Sequence, residues 1–159
     1  MVTITLTLYL LGLDFHNYNT REILAAPASL RARHIRDQLA FHAVAYSIVL
    51  PLTLFVFASG TLPWRFAGWF YLLLVLEHLS QEAYRLLVTF SRSATANAVL
   101  FLRAGIWAFA VAVACLVWPG SLSLERIFAA WAGGVAASIG LAAWRSEERR
   151  VGKECRSRW

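Results

Sequence analysis

Glu77, His78, Gln81, Glu82 and Arg85 fall within one short run, EHLSQEAYR, and are the side chains of this chain best suited to chemistry. On a helix, Glu77, Gln81 and Arg85 recur at i, i+4 and i+8, with His78 and Glu82 on the adjoining strip of the same face. Two carboxylates beside a histidine can relay protons. An arginine can hold a phosphate or carboxylate through forked, charge-assisted hydrogen bonds. His78 and Glu82 at i, i+4 offer half of a metal site, yet no third or fourth ligand follows at helical spacing and the pattern is not HExxH. Neither a metal nor a cofactor is therefore expected. The alternative for any one of these groups is structural, a lattice of interhelical hydrogen bonds and ion pairs that fixes packing.

The elements that must position these groups are transmembrane helices. Spans of about 20 mainly apolar residues, the length that crosses a bilayer core, are expected at Leu39–Ala58, Phe66–Phe90, Ala96–Trp118 and Ile127–Trp144. Val2–Leu13 is apolar but about half that length, and it runs into Asp14 and the polar string His16–Glu22. It reads as an interfacial segment or as half of a span whose start is missing. The expected fold is an all-α polytopic transmembrane bundle with four full spans plus a truncated N-terminal one.

Glu77 sits near the middle of its span, where an ionised carboxylate facing lipid costs at least a few kcal/mol. Its face must therefore point into a bundle interior or a wet cavity. Arg103, roughly 10 Å into the next span at 1.5 Å per residue, lies at the depth of Glu82, and these two are expected to pair. His42 reads as a satisfied interior histidine. Gly133 and Ala137 read as a close-packing pair, and the aromatic residues as lipid-facing or interfacial. Cys115 stands inside an apolar run, with no disulfide partner or metal spacing around it.

Arginine placement orients the spans. Arg21, Arg31, Arg33, Arg36 and Arg92 mark two cytoplasmic faces, while the opposite links hold Arg65 and the pair Glu125 and Arg126, flanked by Trp64, Trp69 and Trp118. Ser29 is a candidate N-cap for the helix rising through the arginine cluster. Pro27, Pro63 and Pro119 fall at helix breaks, and Pro51 should kink the span that contains it.

The last fifteen residues, Arg145–Trp159 (RSEERRVGKECRSRW), resemble over their whole length the translation of a common sequencing-library adapter. They hold six of the 15 basic residues and the only lysine, so the basic balance of the chain is mostly theirs. It is no footprint of nucleic-acid binding, which needs clustered basic residues on one face. The expectation is a natural segment at 1–144, a fragment of a larger protein, followed by a foreign tail.

GLDFHNYNTREI (Gly12–Ile23) and EHLSQEAYRLLVTFSRSATANAVLFLRAGIW (Glu77–Trp107) resemble stretches of bacterial polysaccharide biosynthesis and export proteins. These are the oligosaccharide flippases of the multidrug/oligosaccharidyl-lipid/polysaccharide exporter superfamily, which serve O-antigen and lipopolysaccharide synthesis. The resemblance implies a multi-pass protein of the bacterial inner membrane, a transporter and not an enzyme, built from two helix bundles. This chain would cover the end of its second helix through about its sixth. The implied cargo is a polyprenyl-pyrophosphate-linked oligosaccharide, moved across the lipid bilayer by alternating access, with polymerase and export machinery as further partners. Arg85 and Arg103, with Arg21 at the cytoplasmic mouth, would bind the pyrophosphate. Glu77 and Glu82 would hold the arginines or a coupling cation, and His78 and Gln81 would complete the polar cavity. A multidrug or metabolite exporter of the same superfamily, or a membrane-embedded glycosyl- or acyltransferase, are the alternative readings.

Overall fold

The computed structural model describes the backbone of residues 2–12, 15–118, 120 and 123–156, and the side chains of these apart from residues 2, 15–17, 28 and 146–156. Asp14, Pro119 and almost all side chains of the adapter-like tail lie outside the described residues. Every element among those described is helical. They are α1 (Val2–Gly12), α2 (Phe15–Ala25), α3 (Ala28–Ala58), α4 (Ala67–Thr89), α5 (Ser93–Phe101), α6 (Trp107–Val117) and α7 (Leu124–Arg156). A 3-10 turn at Trp64–Phe66 leads into α4, and a π-helical turn at Leu102–Ile106 joins α5 to α6 without a break. Three helical stretches are long and apolar enough to cross a membrane, Ser29–Ala58, Ser93–Val117 and Leu124–Arg145. Helix α4 has 23 residues, so it has the length, but its polar run keeps it out of that apolar class.

The chain divides into two compact units, Met1–Leu74 and Val75–Trp159, with the boundary inside α4. In the first, α1 and α2 each pack on α3. Helix α3 buries Gln38, His42, Ala45, Val49, Thr53 and Phe57, a stripe at helical spacing. Asn19 of α2 donates from Nδ2 to Gln38 Oε1 at 2.5 Å, tying α2 to α3 through neutral amides. Phe57 meets the Phe70 ring edge-on at 5.4 Å. Helix α3 begins at Ala28 with Pro27 as its extended N-cap, so Ser29 is inside the first turn and does not cap it. It also runs uninterrupted through Pro51, where Thr53 Oγ1 donates to the Leu50 carbonyl at 2.7 Å. That hydroxyl's single hydrogen is thereby used, so the Tyr71 hydroxyl, 3.0 Å away, donates to it.

In the second unit α7 lies along α5, the π turn and α6. Its buried residues Trp131, Val135, Ser138 and Ala142 repeat at helical spacing. Leu87 of α4, Ala96 and Val99 of α5 and Ala142 of α7 form one apolar cluster. Helix α4 ends in a Schellman-type turn, with Arg92 N–H bonded to the Leu87 carbonyl and Ser91 N–H to the Val88 carbonyl, each at 2.9 Å. The geometry forces Ser91 to a positive φ of 56°, a conformation usually left to glycine. The close-packed small residue of α7 is Gly134, not Gly133. A Cβ on Gly134 would stand 3.0 Å from Trp107 Cβ, whereas one on Gly133 would meet nothing within 4 Å. Gly133 and Ala137 are exposed, and the facing pair is one residue further on, Gly134 and Ser138.

Candidate functional site: a buried carboxylate held by two helices

Glu77 is the eleventh residue of α4 and is only 7% exposed. Both of its carboxylate oxygens are occupied. Arg103 in the π turn donates from Nε to Oε2 at 2.6 Å, and Trp131 of α7 donates from its indole nitrogen to Oε1 at 2.6 Å. Desolvating the two charges costs several kcal/mol each, and a buried ion pair holds only where its geometry is good and the leftover lone pairs are satisfied. Two short charge-assisted bonds on one carboxylate meet that condition.

The π turn presents Arg103 to Glu77. Changing from i→i+4 to i→i+5 pairing inserts one residue and leaves a carbonyl without its amide partner. Here the Arg103 carbonyl accepts the Trp107 indole N–H at 2.8 Å. Trp107 in turn stacks on Trp131, with ring centroids 5.6 Å apart and planes 19° from parallel. The contacts close a ring: Glu77 to Arg103, along the backbone to Trp107, across to Trp131 and back to Glu77. Gly105 lets the Phe101 ring lie over the turn, since a Cβ there would be 3.2 Å from it. Gly134 lets α7 approach the turn so closely that its own Cβ would stand 3.1 Å from the Leu102 carbonyl oxygen.

One turn and a half along α4, the remaining polar groups pair among themselves. Arg85 Nη1 donates to Glu82 Oε1 at 2.5 Å, and His78 Nε2 stands 3.9 Å from the same oxygen. The expected Glu82–Arg103 pair is thus corrected. Arg103 reaches Glu77, five positions deeper, from within the π turn. Glu82 takes Arg85 instead, three residues away on its own helix, where little chain entropy is lost. Of the other candidates, His78 is buried, Gln81 is half-buried and Arg21, on α2 of the first unit, is exposed. His42 is buried in α3 with its ring against the edge of Phe41.

No family model, curated protein or solved structure matches this chain.

Sequence reading missed Ser80, Ser138, Trp107 and Trp131. Ser80 and Ser138 are fully buried and share a hydrogen bond at 2.7 Å between α4 and α7. Ser138 donates to the Val135 carbonyl, so Ser80 is the donor between them. Their signal was a small polar residue three positions from Glu77 and seven from Trp131, the reach of one helix face. The two tryptophans, expected at the lipid or the interface, are partly or fully buried in the site, whereas Trp64 and Trp118 are exposed as expected. Chemically the site offers one cation whose Nε is clamped. Among the described residues nothing accepts from its terminal amino groups, Nη1 and Nη2, and the side chain is 20% exposed.

Proposed function

We propose that this chain supplies helices to a multi-pass carrier of the bacterial inner membrane that moves polyprenyl-pyrophosphate-linked oligosaccharide for cell-surface polysaccharide, by alternating access and without covalent chemistry. The observation that carries the reading is Arg103. Its Nε is fixed by Glu77 at mid-helix depth, and its two terminal amino groups are left to meet a ligand. Ionisable groups at that depth are expensive and mark ion or substrate paths. A pyrophosphate, carrying several acceptor oxygens and negative charge, matches the open edge of a guanidinium.

Three apolar helices and their outward-facing side chains support a bilayer location: Phe55, Phe109 and Leu116 are 76%, 72% and 84% exposed. Helix α4 is the fourth span in this reading. Its 23 residues extend about 34 Å at 1.5 Å each, enough for a core of about 30 Å. Its polar run then belongs to the bundle interior. Arginines at Arg21, Arg31, Arg33, Arg36 and Arg92 put those faces on the cytoplasmic side.

The chain in nanodiscs, titrated with polyprenyl pyrophosphate and with polyprenol alone, tests this. Binding should require the pyrophosphate and weaken at least about tenfold in Arg103→Ala, the loss of one charged hydrogen-bonding group. Arg103→Lys should recover part of it. Equal affinity for the two lipids, or no effect of Arg103→Ala, overturns the reading. Preference for an apolar cation would point to a drug exporter instead.

A further inference from the structure

The π turn is held from outside itself. Its Arg103 side chain is pulled to α4 by Glu77, its displaced carbonyl is capped by Trp107, Trp107 is stacked on Trp131, and Trp131 returns to the other oxygen of Glu77. A single side chain, Glu77, therefore joins both ends of the arrangement. An isolated helix has no such restraint and prefers α pairing, because π turns have poorer geometry and occur as local insertions held in place by their surroundings.

We propose that Leu102–Ile106 is a register latch: with Glu77 engaged the inserted residue stays in the π turn, and with Glu77 disengaged the turn winds back to α. Absorbing one inserted residue rotates α6 by about 100° about its axis and slides it about 1.5 Å relative to α5. Helix α5 keeps its place through Ala96 and Val99, packed with Leu87 and Ala142. Helix α6 has no buried residue to resist the rotation. Its first residue, Trp107, lies against Gly134 at the base of the turn. An anion drawing Arg103 away from Glu77 would release the latch and turn α6, coupling occupancy to helix movement. That coupling rests on the carrier reading, but the latch itself does not.

Cys115, exposed on α6, is the native reporter. Nitroxides at Cys115 and at Ala137→Cys, with Cys155→Ser, measure α6 against α7 in the full chain in nanodiscs. Nitroxides at Asn97→Cys and Ala137→Cys, with both native cysteines replaced by serine, measure α5 against α7. Side-chain tips at a radius of ~5 Å move roughly 8 Å in a 100° rotation. Glu77→Gln should therefore shift the first distance distribution by at least about 3 Å and leave the second in place. Trp131→Phe, which keeps the stacked ring but loses the N–H, should give a smaller shift of the same kind. Deleting Ala104 removes the inserted residue, so Glu77→Gln on that background should shift neither distance. An unchanged first distance in Glu77→Gln overturns the latch, as does a shift of both distances or a shift that survives the deletion. Failure of pyrophosphate binding with the Glu77→Gln shift intact overturns only the carrier reading.

Discussion

The two units bury polar groups by different means. Among the described residues of Met1–Leu74, an amide pair, Asn19 with Gln38, and a hydroxyl pair, Thr53 with Tyr71, are neutral. Val75–Trp159 has a neutral pair too, Ser80 with Ser138, but adds a full carboxylate buried against an arginine, with an indole completing its shell. Neutral pairs of this kind average well under 2 kcal/mol in membranes, and they hold helices in register. An ion pair in the same surroundings offsets a desolvation penalty that a leucine pair would never incur. Packing alone therefore accounts for the neutral pairs and leaves the charged one unexplained, which is why the functional proposal belongs there.

The widest separation between the two should come from removing one partner in each. Glu77→Leu leaves Arg103 buried without its counter-charge and should cost about 3–5 kcal/mol, read by denaturation in mixed micelles. Glu77→Leu with Arg103→Leu should recover most of that. Gln38→Leu in the first unit should cost only about 0.6–1.7 kcal/mol. If the two single variants cost the same, the contrast between charged and neutral burial collapses. Next in size is the close approach at the π turn. Gly134→Ala places a Cβ 3.0 Å from Trp107 and should cost about 1–3 kcal/mol by overpacking, with a change in tryptophan fluorescence. Gly133→Ala, with open space around it, should be neutral or gain up to about 1 kcal/mol from helix propensity. The smallest effect sits at the end of α4. Ser91→Gly relieves the positive φ and should stabilise by about 0.5–1 kcal/mol in the same denaturation measurement.

Helix existence was readable from apolar run length, since Leu39–Ala58 lies within α3 and Ile127–Trp144 within α7. The polar run on α4 was readable too, because charged residues are rare at such depth and stand out in an apolar background. What the pattern did not contain was the π turn. LFLRAGIW reads as ordinary helix, and one inserted residue rotates every later side chain by about 100°. Depth counting matched Arg103 to Glu82 when its partner is Glu77, because counting residues from the helix ends ignores the reach of a long arginine side chain. The tryptophans failed for a related reason. An indole is at home at an interface or beside a buried acceptor, and only the three-dimensional position of Glu77 distinguishes the two. Gly134 was missed by one residue because adjacent glycines carry the same signal, and the face of α7 that meets the π turn selects between them.

Helix α3 has a mechanical consequence. Its 31 residues extend about 46 Å at 1.5 Å each, well beyond a hydrocarbon layer of about 30 Å. Arg31, Arg33 and Arg36 at one end and Phe57 at the other thus belong to a single stiff strut. Any force applied among the arginines would be delivered to the Phe57 end of the helix without an intervening break, Pro51 included.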